Sequence, residues 1–209
     1  MTRSTTTPKA VRRPAPGRKT LARPYHHGNL RTTLLDAADA VLAERGVQGI
    51  TLRDVARSAG VSHAAPYHHF ASLEELLAAV AERGFRVLGE AMASAVAVAD
   101  TRERMLRVAQ SYVECARAHP ERFRLMFGPL LANKEQYPGL ADAARRAFGF
   151  VLDAANAHDN QRGATLALAG WSLAHGLSQL LIDGAFNGLP MPAQQPDTLA
   201  RTLSAYLFT

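Results

Sequence analysis

The sequence predicts an all-α protein, and three observations carry that expectation. Apolar residues recur three and four positions apart along nearly the whole chain after residue 29. No stretch alternates with period two between turn residues, so no strand is expected. Gly, Pro and capping Ser, Thr or Asp residues cut the periodic pattern into helix-sized pieces. The chain has 209 residues, 47% of them hydrophobic and 20% charged, which gives room for one domain or two modest ones. A single cysteine, Cys115, excludes a disulfide framework and a multi-cysteine zinc site, and fits a reducing compartment.

The elements follow in order. Leu30, Leu34, Ala37, Ala38, Val41 and Leu42 mark one helix face, and Gly46 stops the run. Thr51 and Asp54 form a T-x-x-D start signal for a short helix over 52–59, closed by Gly60. Ser62 is expected to cap a second short helix over 62–70. Within it, Pro66 removes one N–H and disfavours helical geometry at Ala65, so a 3₁₀-like first turn is expected. Ser72 and Glu75 make a capping box ahead of Leu73, Leu76, Leu77, Val80 and Leu88 on a longer helix.

Further helices are expected over 101–118, 120–127, 140–157, 163–183 and 197–208, with loops over 128–137 and 184–196. Pro120 and Pro138 suit first-turn positions, where a missing N–H costs little. The most apolar segment, 164–182, is interrupted by His175, Gln179 and two glycines, so no membrane span is expected. No apolar segment follows Arg12 and Arg13, so no export signal is read and the expected location is the cytoplasm.

The formal net charge is +6, and its position says more than its size. Residues 1–24 hold seven Lys and Arg and no acid, which leaves 17 bases against 18 acids in the rest. With Pro8, Pro14, Pro16 and Pro24 and little apolar content, this stretch reads as a disordered basic arm. Such an arm either attracts a polyanion, nucleic acid above all, or serves only as a solubilising tail.

Two short helices joined by Gly60 and Val61 have the layout of a helix-turn-helix, in which Gly60 turns the chain and Val61 fills the angle. The second helix is then placed to enter a major groove. The run Gly49-Ile50-Thr51-Leu52-Arg53-Asp54-Val55-Ala56, then Ala59-Gly60-Val61-Ser62, Tyr67-His68-His69-Phe70, Ser72 and Leu76-Leu77 resembles the tetracycline-repressor (TetR) family. The likeness covers about 29–85. Beyond the basic arm (1–24), it implies a helix-turn-helix DNA-binding domain (25–85) and a helical effector-binding and dimerisation domain (86–209). It also implies a homodimer on a palindromic duplex operator, released by a small-molecule effector that the sequence does not identify.

The expected DNA contacts are Arg31, Thr51, Ser62, His63, Ala64, Tyr67 and His68. Thr51 and Ser62 either cap a helix or offer a hydroxyl to phosphate. His63 and His68 are able to donate to phosphate or to base-edge acceptors, and Ala64 is able to touch a thymine methyl. Tyr67 resembles the family position whose hydroxyl meets backbone phosphate, while Phe70 is expected in the core. Leu73 stands where the family usually has a phosphate-binding lysine. Residues 25–85 carry five Arg against seven acids, so the basic arm is the expected source of extra cations, with a minor-groove role for Arg18, Lys19 or Arg23.

In the second half, Trp171-Ser172-Leu173-Ala174-His175-Gly176-Leu177 resembles the Trp/His/Gly signature of one C-terminal domain type among these regulators. Trp171 and His175 share a helix face. With Tyr112, Phe123, Met126 and Phe127 they are either plain core or the walls of an effector pocket. Leu173, Leu177, Leu180, Leu181, Leu199, Leu203, Tyr206 and Leu207 make apolar faces, which the resemblance assigns to pairing between two copies. No nucleophile motif, phosphate loop or metal-spaced carboxylate pair is present in the sequence, so no catalytic residue, cofactor or metal is expected. The alternative functions are a helical interaction module that does not bind DNA and, further off, a helical enzyme.

Overall fold

The computed structural model describes residues 30–189 and 195–208. The basic arm, together with His26, His27 and Asn29, lies outside the described residues. Those that are described form eight α-helices, three 3₁₀ turns and no strand. The helices are α1 (Leu30–Gly49), α2 (Leu52–Ser58), α3 (Leu73–Val96) and α4 (Thr101–Ala118), then α5 (Pro120–Phe127), α6 (Pro138–His158), α7 (Gly163–Ile182) and α8 (Pro196–Ala205).

The first three α-helices close over a small core. Leu34 and Leu42 from α1, Val55 from α2 and Leu76 and Leu77 from α3 are almost wholly buried. Gly46, at φ 68°, breaks the regular path of α1, and one further turn carries the chain to Gly49. α2 starts at Thr51, whose hydroxyl accepts from the Asp54 N–H at 3.2 Å. It ends in a Schellman motif: the Val61 N–H reaches the Ala56 carbonyl at 3.0 Å and the Gly60 N–H reaches Arg57 at 3.1 Å. Gly60 sits at φ 69°, the left-handed conformation that the motif requires.

The segment after this turn departs from the expected helix over 62–70. Only Ala65–His68 is helical, and it is a single 3₁₀ turn. Pro66 has no N–H to give to the Ser62 carbonyl, so the α-helical ladder has no first rung there. The chain instead closes shorter rings, Ala65 N–H to Ser62 at 3.0 Å and Tyr67 N–H to Ala64 at 3.2 Å. Ser62 is consequently not a helix cap; Ala64 holds that position and its side chain makes no capping bond.

The later helices lie close to their expected ranges. α6 begins two residues earlier than expected because Pro138 takes its first turn, and α8 stops at Ala205. α3 runs unbroken through residue 85, so one helix serves both the small domain and the larger bundle. Its second half packs chiefly on α6 and α4, and α5 lies against both α1 and α3. α7 has the length and apolarity of a membrane-crossing helix, with a mean hydropathy of 1.2, yet it packs in the bundle against α4, α6 and α8.

Phe70 is the residue that fixes the 3₁₀ turn to the rest. Its side chain is 2% exposed, and the Arg31 guanidinium lies over its ring at 5.3 Å. Phe70→Ala is expected to cost about 3–5 kcal/mol. A urea unfolding curve checks this, and a midpoint within error of the unaltered protein would contradict the anchoring role.

Candidate DNA-reading segment and effector cavity

The stretch from Ser62 to Phe70 divides cleanly by exposure. Ser62, His63, Ala64, Tyr67, His68 and His69 face solvent, while Ala65, Pro66 and Phe70 are buried. Tyr67 is 62% exposed although it is a large ring. One short turn thus presents a hydroxyl, a phenol, three imidazoles and a methyl group on a single outer surface, held by three residues underneath. These are the side-chain types that meet phosphates and base edges.

The neighbouring charges are mostly spent within the protein. Asp54 takes Arg45 at 3.0 Å and Arg57 at 3.4 Å. The Thr51 hydroxyl also donates to Asp54 at 2.5 Å, so Thr51 acts here as the cap of α2. That hydrogen bond, followed by the two guanidinium groups, holds the Asp54 carboxyl below its ordinary range. Arg83 is paired with Asp36 and lies 3.6 Å from Asp39. Among the described residues this leaves Arg31, over the Phe70 ring, and Arg53, exposed on α2 with no carboxylate partner. Sequence reasoning missed Arg53, because only the folded arrangement shows which arginines are neutralised. Leu73 packs against the core and offers no donor in place of the family's lysine.

The second candidate site is a partly open cavity of about 290 Å³ lined by α3, α4, α5, α6 and α7 and by Lys134. Tyr112, Phe127 and Trp171 line it as expected, and Phe85, Leu88, Met92, Phe148 and Val151 complete the apolar wall. Three expected wall residues lie elsewhere. Phe123 is buried behind Tyr112, its ring edge-on at 5.8 Å. Met126 packs against α3 beside Gly84. His175 stands behind the wall and not on it.

His175 and Trp171 nonetheless act together through Tyr112. The Trp171 indole N–H donates to the Tyr112 hydroxyl at 3.2 Å, and that hydroxyl lies 2.9 Å from His175 Nδ1. An indole has only a proton to give, so the tyrosine oxygen accepts it, and the hydroxyl proton is left to meet the imidazole when Nδ1 carries none. In that arrangement Nδ1 accepts, and a neutral His175 holds its proton on Nε2. Burial favours the same state, since it lowers the imidazole's proton affinity and raises that of the Tyr112 phenolate. Lys134, from the turn before α6, is the remaining polar lining group; it escaped sequence reasoning because it sits in a loop outside the helical pattern.

A larger, solvent-open cleft of about 570 Å³ lies between α4 and α8. Its charges neutralise each other: Glu103 meets Arg201 at 2.7 Å and Arg107 at 2.9 Å, which holds the Glu103 carboxyl at about 2. The aromatic cavity is the better receptor for an organic molecule.

Comparison with known proteins places both halves of the chain in one family. Residues 34–80 match the bacterial regulatory proteins of the tetR family. Residues 105–206 match the tetracyclin repressor-like C-terminal domain. The chain belongs to the TetR family. Both matched models describe regulatory or repressor-like proteins. Over 47 residues it is 49% identical to the HTH-type transcriptional repressor KstR2 of Mycobacterium tuberculosis, 22% of this chain and 24% of that one. The chain thus spans about a quarter of the length of such curated relatives. A solved structure from Rhodococcus sp. RHA1, a protein of unknown function, is 31% identical with a TM-score of 0.74, covering 90% of this chain and 97% of that one. The TetR-like regulator LfrR of Mycobacterium smegmatis, solved with proflavine, shares the fold at 19% identity and a TM-score of 0.61, over 87% and 97% of the two chains.

The His175 arrangement has a measurable consequence. Its folded-state pKa lies below its unfolded value, so its contribution is complete above about pH 6.5 and is lost as pH falls below that. His175→Gln is expected to flatten the fall in melting temperature between pH 7 and pH 5. Identical slopes in the two proteins would contradict the neutral-acceptor assignment.

Proposed function

We propose that this chain is a ligand-responsive transcriptional repressor acting in the cytoplasm. It binds a two-fold-related duplex operator as a homodimer and is released when a small molecule fills the aromatic cavity. The observation that carries the proposal is the outward face of the 62–70 segment, pinned from below by Phe70. A turn of four residues spans few base pairs, so useful affinity needs two copies on two half-sites.

α7 supplies a surface suited to that pairing. Thr165, Leu168, Ser172, Gly176 and Leu180 are exposed at three- and four-residue spacing, and the helix carries no Asp, Glu, Lys or Arg. Leu168 is 54% exposed and Leu180 46%. Covering this stripe with its symmetry mate removes apolar area from water at roughly 25 cal/mol per Å².

α5 offers a route between the two sites. On one side Phe127 lines the cavity and Phe123 packs on Tyr112. On the other, Arg122 donates to Asp39 of α1 at 2.7 Å, with both side chains largely shielded. A ligand that displaces Phe127 therefore moves the helix on which α1 and the reading segment rest. Release follows if the ligand favours the arrangement in which the two reading segments no longer match the groove spacing.

Selection from a random duplex library tests the reading. It is expected to return inverted repeats with half-site centres about 10 base pairs apart, bound with an affinity that falls steeply with salt. Tyr67→Phe is expected to weaken selected and random duplexes alike, by about thirtyfold, the loss of two hydrogen bonds near 1 kcal/mol each, one per subunit. A loss confined to one base pair would assign Tyr67 to base reading, and an absence of duplex binding in dilute buffer would defeat the proposal.

A further inference from the structure

We propose that the cavity ligand is an apolar monocarboxylic acid whose carboxylate is received by Lys134. This rests on the effector reading above and narrows it to one chemical class. The lining residues are aliphatic or aromatic and carry three polar side-chain groups, the Tyr112 hydroxyl, the Trp171 indole N–H and the Lys134 ammonium. The hydroxyl is already engaged, accepting the Trp171 N–H and sharing a hydrogen bond with His175 Nδ1. Lys134 is not. Its ammonium makes one long bond, 3.4 Å, to the Leu131 carbonyl and lies 5.9 Å over the Phe85 ring.

No carboxylate among the described residues pairs with Lys134. The adjacent Glu135 is turned to Arg145 at 2.8 Å. A half-buried cation without a counter-ion is costly beside an apolar wall, and burial lowers the lysine's proton affinity as expected of such a place. An anion supplied by the ligand removes that cost.

The site favours a single negative charge. Phosphates are usually held by several donors, by an arginine fork or by a row of backbone N–H groups, and none lines this cavity. One ammonium suits one carboxylate. The volume sets the size: about 290 Å³ holds on the order of ten non-hydrogen atoms at the ~30 Å³ each takes in liquid water. A medium-chain fatty acid and an arylalkanoic acid both fit that description, and the Phe85, Phe127, Phe148 and Trp171 rings accommodate either.

The sequence provides its own reporter, because Trp171 is the only tryptophan in the chain and lies on the cavity wall. Decanoate, 4-phenylbutyrate and the uncharged decanol are titrated into the full-length protein and Trp171 emission is followed. Decanoate and 4-phenylbutyrate are expected to saturate the signal, with decanol at least tenfold weaker than decanoate. Lys134→Met is expected to bring decanoate down to the affinity of decanol while leaving decanol unchanged, and Lys134→Arg to preserve the preference. The unchanged decanol affinity also shows that the Met variant retains its cavity.

Equal binding of decanoate and decanol, or a preference for decanoate that survives Lys134→Met, would overturn the carboxylate assignment and leave the effector cavity standing. If neither acid nor alcohol perturbs Trp171 or loosens bound duplex DNA, the cavity is not the effector site and both readings fail. Success of only one acid supports the proposal and tells the fatty class from the aryl class.

Discussion

The geometry of the reading surface depends on one constraint, a proline with no N–H placed four residues after Ser62. Pro66 denies the segment an α-helix and leaves a single 3₁₀ turn too short to hold itself on the surface. The burial of Phe70 supplies the missing rigidity. Its ring lies in the core of α1, α2 and α3, and the Schellman turn at Gly60 and Val61 fixes the other end. The six outward residues between these two anchors have their positions set by groups on the inner side of the turn. A short rigid turn gives up contact area and loses little entropy on binding.

Charge follows the same economy. Most arginines of the small domain are tied to Asp54, Asp36 or Asp39, where they brace α1, α2, α3 and α5 against each other. On the proposed function, attraction to phosphate falls to Arg31, Arg53 and the seven bases of residues 1–24. The larger domain applies a comparable division inside its cavity. Trp171, Tyr112 and His175 satisfy one another, which leaves Lys134 as the group still able to receive a partner.

Much of the fold was legible in the sequence because its signals are local. Caps at Thr51 and Ser72, prolines at helix starts, and Gly46 and Gly60 at helix ends each act within one turn of the chain. The expected helices over 101–118 and 120–127 agree with α4 and α5. The 62–70 segment was half legible: the effect of Pro66 was foreseen, but not that the rest of the helix would fail to resume beyond it. The cavity was legible through Tyr112, Phe127 and Trp171, while Phe123 and Met126 turned to other faces of the eight-residue α5. Which face looks inward depends on how α5 lies between α1 and α3, a tertiary fact that periodicity does not hold. Lys134 and Arg53 were missed for the same reason, since their interest lies in the partners they lack.

The claim on which the account turns is that the 62–70 surface is what duplex DNA touches. Photo-crosslinking tests it most directly, with p-benzoylphenylalanine placed at Ala64 in one preparation and at Thr165 on α7 in another, each mixed with duplex DNA in dilute buffer. The account predicts salt-sensitive crosslinks from position 64 and none from position 165. No crosslink from position 64, or an equal yield from both, would contradict it.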